Sequence, residues 1–135
     1  MLDSRMSTAK PMPEADAATL PFFEALSRQL LQVQRCTRCG ASQLGERRCN
    51  QCRCDRLDWI AASGRARLYS FVVIHAAYHA AFPPPYNAAI VELEEGPRIY
   101  SNVIGCSDAQ LRIDMPLHVV FEAQGGTWLP VFQPA

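Results

Sequence analysis

The stretch RCTRCGASQLGERRCNQCRC, residues 35–54, holds five of the chain's six cysteines in twenty positions. Cys36 and Cys39 form one C-x-x-C hook and Cys49 and Cys52 a second, with nine residues between them. Each hook can present two thiolates from a single turn, so together they meet the tetrahedral demand of a structural zinc ion. Gly40, directly after the first hook, frees the backbone to point amide groups at the sulfurs. Iron in a rubredoxin-like site has the same ligand set and stays open as an alternative. A disulfide framework fits poorly, because the chain shows no secretory signal and its cysteines crowd into one segment. A thioredoxin-type pair would need a βαβ context that the sequence lacks. Four thiolates close the coordination sphere, so such a metal would fold the segment rather than activate water. Cys54 is a third thiol beside the second hook, read as a free thiol or a back-up ligand. Cys106, alone after Gly105, is read as a small buried residue.

Other candidates for chemistry are sparse. His75 and His79 lie in VVIHAAYHAAFPPPY with no carboxylate or nucleophile at a recognisable spacing, and His118 falls in a strand as a surface residue. There is no nucleophile elbow, phosphate loop or dinucleotide fingerprint. Catalysis by this chain alone is therefore not expected.

The elements that must position the cysteines differ on their two sides. Residues 1–18, with Pro11 and Pro13 and no periodicity, read as a flexible leader. An amphipathic helix is expected over 19–34, with Thr19 as cap, Pro21 in the first turn, and Phe22, Leu26, Leu30 and Val33 at helical spacing. The ribbon follows over 35–56. Beyond it, residues 66–75, 86–94, 97–105, 117–123 and 127–133 are β-branched and aromatic runs bounded by Gly, Pro, Asn and Asp. In the second run Ala89, Val91 and Leu93 alternate with Ile90, Glu92 and Glu94, giving one buried and one wetter face. EEGPR forms a tight hairpin, and Ser107 caps one helical turn that Asp114 and Pro116 stop. Five strands with a short helix between the third and fourth is the order of an OB-fold, so residues 57–135 are expected to close into a five-stranded barrel. An SH3-like barrel or a small sandwich would give a similar pattern. The fold class is mainly β: an N-terminal helix, a rubredoxin-like zinc ribbon, then the OB barrel.

Charge is balanced overall but unevenly placed. Residues 28–56 carry seven basic and two acidic side chains, a net of +5, whereas residues 57–135 carry four basic and seven acidic ones, a net of −3. A cationic ribbon favours an anionic ligand or an acidic partner surface. The acidic barrel argues against the basic groove that single-stranded nucleic acid requires, and Tyr69, Phe71 and Tyr100 are read as core rather than as stacking platforms. No apolar run approaches the roughly 20 residues needed to cross a bilayer. The charged N-terminus has no apolar signal region, so a cytoplasmic protein without membrane partners is expected.

The layout as a whole resembles a known family. The helix, RCTRCG, the second hook, SGRARLYSFVVIH, PPYNAAIVELEEGPRIYSNVIG, IDMPLHVVFE and LPVFQP are similar to the zinc-ribbon plus OB-fold proteins associated with thiolases and acyl-CoA metabolism. That family was long catalogued as a domain of unknown function. The resemblance covers about residues 20–135 and implies a non-catalytic accessory subunit that bridges or stabilises a thiolase-fold acyltransferase or condensing enzyme, a hydratase or an aldolase. It implies zinc on Cys36, Cys39, Cys49 and Cys52, and possible contact with a CoA thioester. Two departures stand out: LGERRC lacks the prolines common before the second hook, and Asp114 takes the place of a glycine. Arg35, Arg38, Arg47, Arg48 and Arg65 are candidates to meet CoA phosphates or an acidic partner. Phe22, Phe23, Leu26 and Leu30 are candidates for apolar partner contact.

Overall fold

The computed structural model describes residues 16–77, 80, 83–124 and 126–135. His79 and the first fifteen residues lie outside them. Chain order is α1 (Leu20–Leu26), β1 (Gln32–Cys36), β2 (Ser42–Gln43), β3 (Leu57–Ala61), β4 (Arg65–Ile74), β5 (Tyr86–Leu93), β6 (Arg98–Ser101), β7 (Pro116–Gln124) and β8 (Thr127–Pro134). Among the described residues no helix is long and apolar enough to cross a membrane.

The helix is shorter than its apolar spacing suggests. It does not run to residue 34: Leu30 N–H reaches Ala25 C=O at 3.0 Å and Gln29 N–H reaches Leu26 C=O at 2.8 Å, with Gln29 at φ +58°. This pair of bonds around a left-handed residue is a Schellman termination. Leu31 and Val33, buried to 4% and 0% exposure, then follow a two-residue period and enter the core from a strand.

That strand, β1, is the centre of a small antiparallel sheet of order β2-β1-β3. Gln34 faces Gln43 on one side and Trp59 on the other. Residues 57–61, which the sequence places at the start of the barrel segment, pair with β1 of the ribbon sheet.

The second sheet has order β6-β5-β4-β7-β8, all antiparallel. It curls until its two edges meet: Val103 bridges Phe132 in parallel, with Ile104 N–H to Phe132 C=O at 2.8 Å and Phe132 N–H to Asn102 C=O at 3.0 Å. A curled five-stranded sheet with a 3-10 turn (Asp108–Gln110) between its third and fourth strands is the OB arrangement. Gln110 accepts the Ser107 amide at 2.8 Å, fixing the start of that turn. Along β5, Asn87, Ala89, Val91 and Leu93 point inward and their neighbours outward, as the alternation predicts. Leu26, Leu31 and Val33 share one buried cluster with Leu68, Val91, Leu117 and Phe132, so helix, ribbon and barrel hold together through a common core.

Several side chains differ from their expected places. Tyr100 is 88% exposed and Tyr69 lies on the outer face under Arg98, whereas Phe71 does pack on the core. Cys106 is half-buried against that core. His118 is half-buried, its Nε2 lying 2.9 Å from Gln133 Nε2.

Candidate metal centre and the cleft beside it

Two hooks with the same backbone pattern build the cysteine cluster. In the first, Cys36 N–H donates to Ala41 C=O at 2.9 Å and Gly40 N–H to Cys36 C=O at 3.0 Å; in the second, Cys49 N–H donates to Cys54 C=O at 2.8 Å and Arg53 N–H to Cys49 C=O at 2.9 Å. The residue after each hook is left-handed: Gly40 at φ +77° and, without a glycine's freedom, Arg53 at φ +66°. These turns aim amides at sulfur. Arg38 and Cys39 donate to Cys36 Sγ at 3.4 and 3.5 Å, and Gln51 and Cys52 donate to Cys49 Sγ at 3.3 and 3.5 Å.

The sulfurs of Cys36, Cys39, Cys49 and Cys52 all lie within 4.8 Å of one another, with Cys36–Cys52 and Cys39–Cys49 at 3.5 Å. Bonds of about 2.3 Å to a tetrahedral zinc ion space sulfurs about 3.8 Å apart, so four soft donors at this spacing fit such an ion. The amide of Cys39 holds the Cys36 thiol down at about 6, and the amide of Cys52 lowers Cys49. The Cys54 amide favours the Cys52 thiolate, but desolvation and the three neighbouring sulfurs outweigh it and push that thiol up to about 12. Four thiolates in this space need a cation among them. Cys54 is not part of the cluster; its sulfur accepts the Arg56 amide at 3.4 Å instead.

The loop carrying the second hook is held by two residues that the sequence did not flag. Gln34 Oε1 accepts Glu46 N–H at 2.9 Å while its Nε2 donates to Glu46 C=O at 3.0 Å. Gln43 accepts Asn50 N–H at 2.9 Å and donates to Arg48 C=O at 3.0 Å. Both are buried, at 4% and 7% exposure. A glutamine in a short strand next to cysteines gives little signal; only the register Gln34↔Gln43 brings the two together.

The candidate contact residues divide. Arg35, Arg38, Arg47 and Arg48 are exposed around the ribbon, and Arg48 Nη1 reaches Arg53 C=O at 3.3 Å. Arg65 is instead taken up by Glu94, at 2.8 and 3.2 Å in a two-pronged ion pair. Leu26 is 1% exposed and belongs to the core, whereas Leu30 is 43% exposed. Phe22 and Phe23, edge to face at 5.2 Å, are half-buried. They line a cleft of about 520 Å³ between α1 and the barrel, together with Leu26, Leu44, Leu129 and Val131. Gly45 makes this approach possible: a Cβ there would meet Thr19 Cγ2 at 2.5 Å, so only glycine lets the ribbon loop close on the start of the helix.

A two-hook cysteine ribbon joined by a common core to a curled OB sheet defines the class of protein. A family model described as the C-terminal OB-fold domain of ChsH2 matches residues 59–122. A DUF35 domain-containing scaffold protein of Methanothermobacter thermautotrophicus is 33% identical over 97 residues, covering 70% of this chain and 73% of its own. A solved structure described as an Ltp2-ChsH2(DUF35) aldolase superposes with a TM-score of 0.84 at 34% identity, covering 91% of this chain and 98% of that one. The chain belongs to the DUF35 family of OB-fold proteins associated with acyl-CoA enzymes. It is also 33% identical over 136 aligned positions to a probable enoyl-CoA hydratase alpha subunit of Thermomonospora curvata; that match covers 98% of this chain but 42% of the relative, so the chain spans less than half of that protein's length.

Proposed function

We propose that the chain is a non-catalytic accessory subunit of an acyl-CoA enzyme complex. Its partner is a thiolase-fold acyltransferase or condensing enzyme, or another enzyme acting on acyl-CoA. One observation carries the reading: almost the whole of a DUF35 chain from a structure named as an aldolase superposes on this one at 34% identity. The ribbon carries a structural zinc on Cys36, Cys39, Cys49 and Cys52, which fastens the segment and presents the exposed arginines. The soft, closed donor set gives this ion no part in turnover. Among the described residues, His75 is exposed just past the end of β4 and His118 is bonded to Gln133, an arrangement in keeping with a chain that does no chemistry of its own. The protein works in the cytoplasm, where acyl-CoA substrates are found.

Affinity purification of the tagged full chain from its native host tests this. The expected result is stoichiometric recovery of a thiolase-fold or other acyl-CoA enzyme, identified by mass spectrometry. Recovery of nucleic acid instead, or thioester turnover by the purified chain that disappears in His75→Ala, would overturn the reading.

A further inference from the structure

Main-chain hydrogen bonding around the barrel leaves a stretch of β6 without a partner. We propose that this stretch takes an extended segment of a partner protein, apolar at alternate positions, as an added strand between β6 and β8. The site gives an accessory subunit a place where another protein holds on; it rests on that reading only for which protein supplies the strand.

The phase of the β5–β6 ladder is set at the hairpin, where Leu93 N–H donates to Pro97 C=O at 2.8 Å. Bonded pairs recur every second residue in an antiparallel ladder, so Ile99 bonds Val91 and Ser101 bonds Ala89. Arg98 and Tyr100, opposite Glu92 and Ile90, therefore turn their N–H and C=O groups away from β5. That is the side on which Asn102 C=O and Ile104 N–H already meet Phe132 of β8. This parallel seam repeats every two residues, so its next rung back would run from the amide of residue 130 to Tyr100 C=O. Residue 130 is a proline with no N–H to give, and its C=O is taken by Ser101 Oγ at 3.0 Å. The seam stops there. Among the described residues neither Arg98 nor Tyr100 has a main-chain partner across the gap.

A cleft of about 520 Å³ opens where the seam stops. Both edges line it, Ile99 and Tyr100 from β6 and Leu129 and Val131 from β8, with Phe22 and Phe23 of α1 completing the wall. Such a space admits one strand and excludes a second barrel. An added strand is continuous with the seam, because it takes up the main-chain groups that Pro130 leaves unmet. Alternation sends every second side chain of that strand toward the carbon walls, which sets its apolar period of two. A hydrocarbon ligand over the same edge would cut the Tyr100 amide and carbonyl off from water and offer them nothing in return. Charge asks for no acidic residue in the strand, since Arg98 is already bonded to Glu92 at 2.9 Å and lies 3.7 Å over the Tyr69 ring.

Panning a displayed library of random octapeptides on the full, zinc-loaded chain tests the assignment. Enriched peptides are expected to alternate apolar and polar residues. Bound, they should slow amide exchange at Arg98 and Tyr100 by at least about tenfold in nuclear magnetic resonance spectra, with Ile99, already bonded to β5, as internal reference. Tyr100→Pro removes the open N–H without touching the β5 ladder and should weaken a selected peptide by at least about tenfold. Tyr100→Thr keeps the amide and should bind within about threefold of wild type. Zinc content and the circular dichroism melt confirm folding of both, and the exchange measurement decides alone if Tyr100→Pro does not fold. Failure to enrich any such peptide, or bound peptides that leave both amides exchanging freely, overturns the proposal. A dimer in sedimentation that Tyr100→Pro dissolves would give the edge to a second copy of this chain and overturn it as well. A chain that captures an acyl-CoA enzyme yet binds no strand defeats this proposal alone; one that binds strands but captures no such enzyme defeats the accessory reading and leaves this site standing.

Discussion

Gln43 Nε2 lies 3.3 Å from Gln34 Oε1 inside the ribbon, and through this contact two buried amides act as one brace. Between them they take up the backbone of Glu46, Arg48 and Asn50, in a loop with no sheet partner of its own. Buried amide and carbonyl groups need partners, and in this loop side chains supply them. The second cysteine hook begins at Cys49, so the brace also sets where two of the four sulfurs stand.

Replacing Gln43 by Leu should leave the Arg48 carbonyl and the Asn50 amide unpaired, at a cost of about 1–3 kcal/mol each where they stay buried. Groups that orient metal ligands typically change metal affinity by about 10–100-fold. Competition with a chromophoric chelator should show zinc binding weakened in that range in Gln43→Leu, with the barrel's near-ultraviolet circular dichroism retained. Unchanged zinc affinity would mean that the hooks organise themselves without the brace.

The thiol count makes a separate prediction. Cys54 sits two residues from Cys52, yet its carbonyl accepts Cys49 N–H at 2.8 Å and its sulfur accepts the Arg56 amide at 3.4 Å. Both bonds belong to the second turn itself and hold the Cys54 sulfur outside the cluster. Cys54→Ser should keep one metal ion per chain by mass spectrometry under non-denaturing conditions, while Cys52→Ser should lose it. Full retention in Cys52→Ser would show that Cys54 replaces it.

The sequence carried the barrel because its signals are local. The 180° alternation along β5, Gly96 at φ +115° in the hairpin and Ser107 before the 3-10 turn each fix their own element. The four sulfurs were legible for the same reason: C-x-x-C spacing is a local geometric statement. What failed was longer in range. Leu26, Leu30 and Val33 fit a helix, but Gln29 adopts a left-handed conformation with no glycine to announce it, and β1 is stabilised by β3, more than twenty residues away. The pairing of Arg65 with Glu94 and the meeting of Gln34 with Gln43 are likewise set by strand register, which no spacing rule reports.

Asn87 is a polar residue inside the barrel, 7% exposed. Its Oδ1 accepts Val103 N–H at 2.8 Å and its Nδ2 donates to Val103 C=O at 2.8 Å and to Asp108 Oδ1 at 3.0 Å. Val103 is also the residue that bridges β8, so Asn87 fastens the point where the curled sheet closes. Asn87→Leu, of similar size, should lower stability by about 2–4 kcal/mol in urea unfolding, since it strands two buried backbone groups. A loss below about 0.5 kcal/mol would show that closure does not depend on this side chain.

The outer face of β4, β5 and β6 supplies the pH dependence. Glu92 accepts Arg98 Nε at 2.9 Å and Arg67 Nη2 approaches it at 2.7 Å, and these two guanidinium groups hold its carboxyl below the ordinary 4.5. A carboxylate depressed on folding stabilises the native state above its unfolded pKa, and that contribution disappears as pH falls through the folded value. Glu92→Gln removes the titrating group but keeps the shape. The wild type should therefore melt higher than Glu92→Gln at pH 7, and the gap should close as pH is lowered below 4.5. In 1 M salt the gap at pH 7 should shrink, because Arg67 and Arg98 are about half exposed, at 44% and 51%. Differential scanning fluorimetry of both proteins from pH 7 to about pH 3 reads this directly. A gap that stayed constant across that range would mean that Glu92 contributes through packing alone, with no help from its charge.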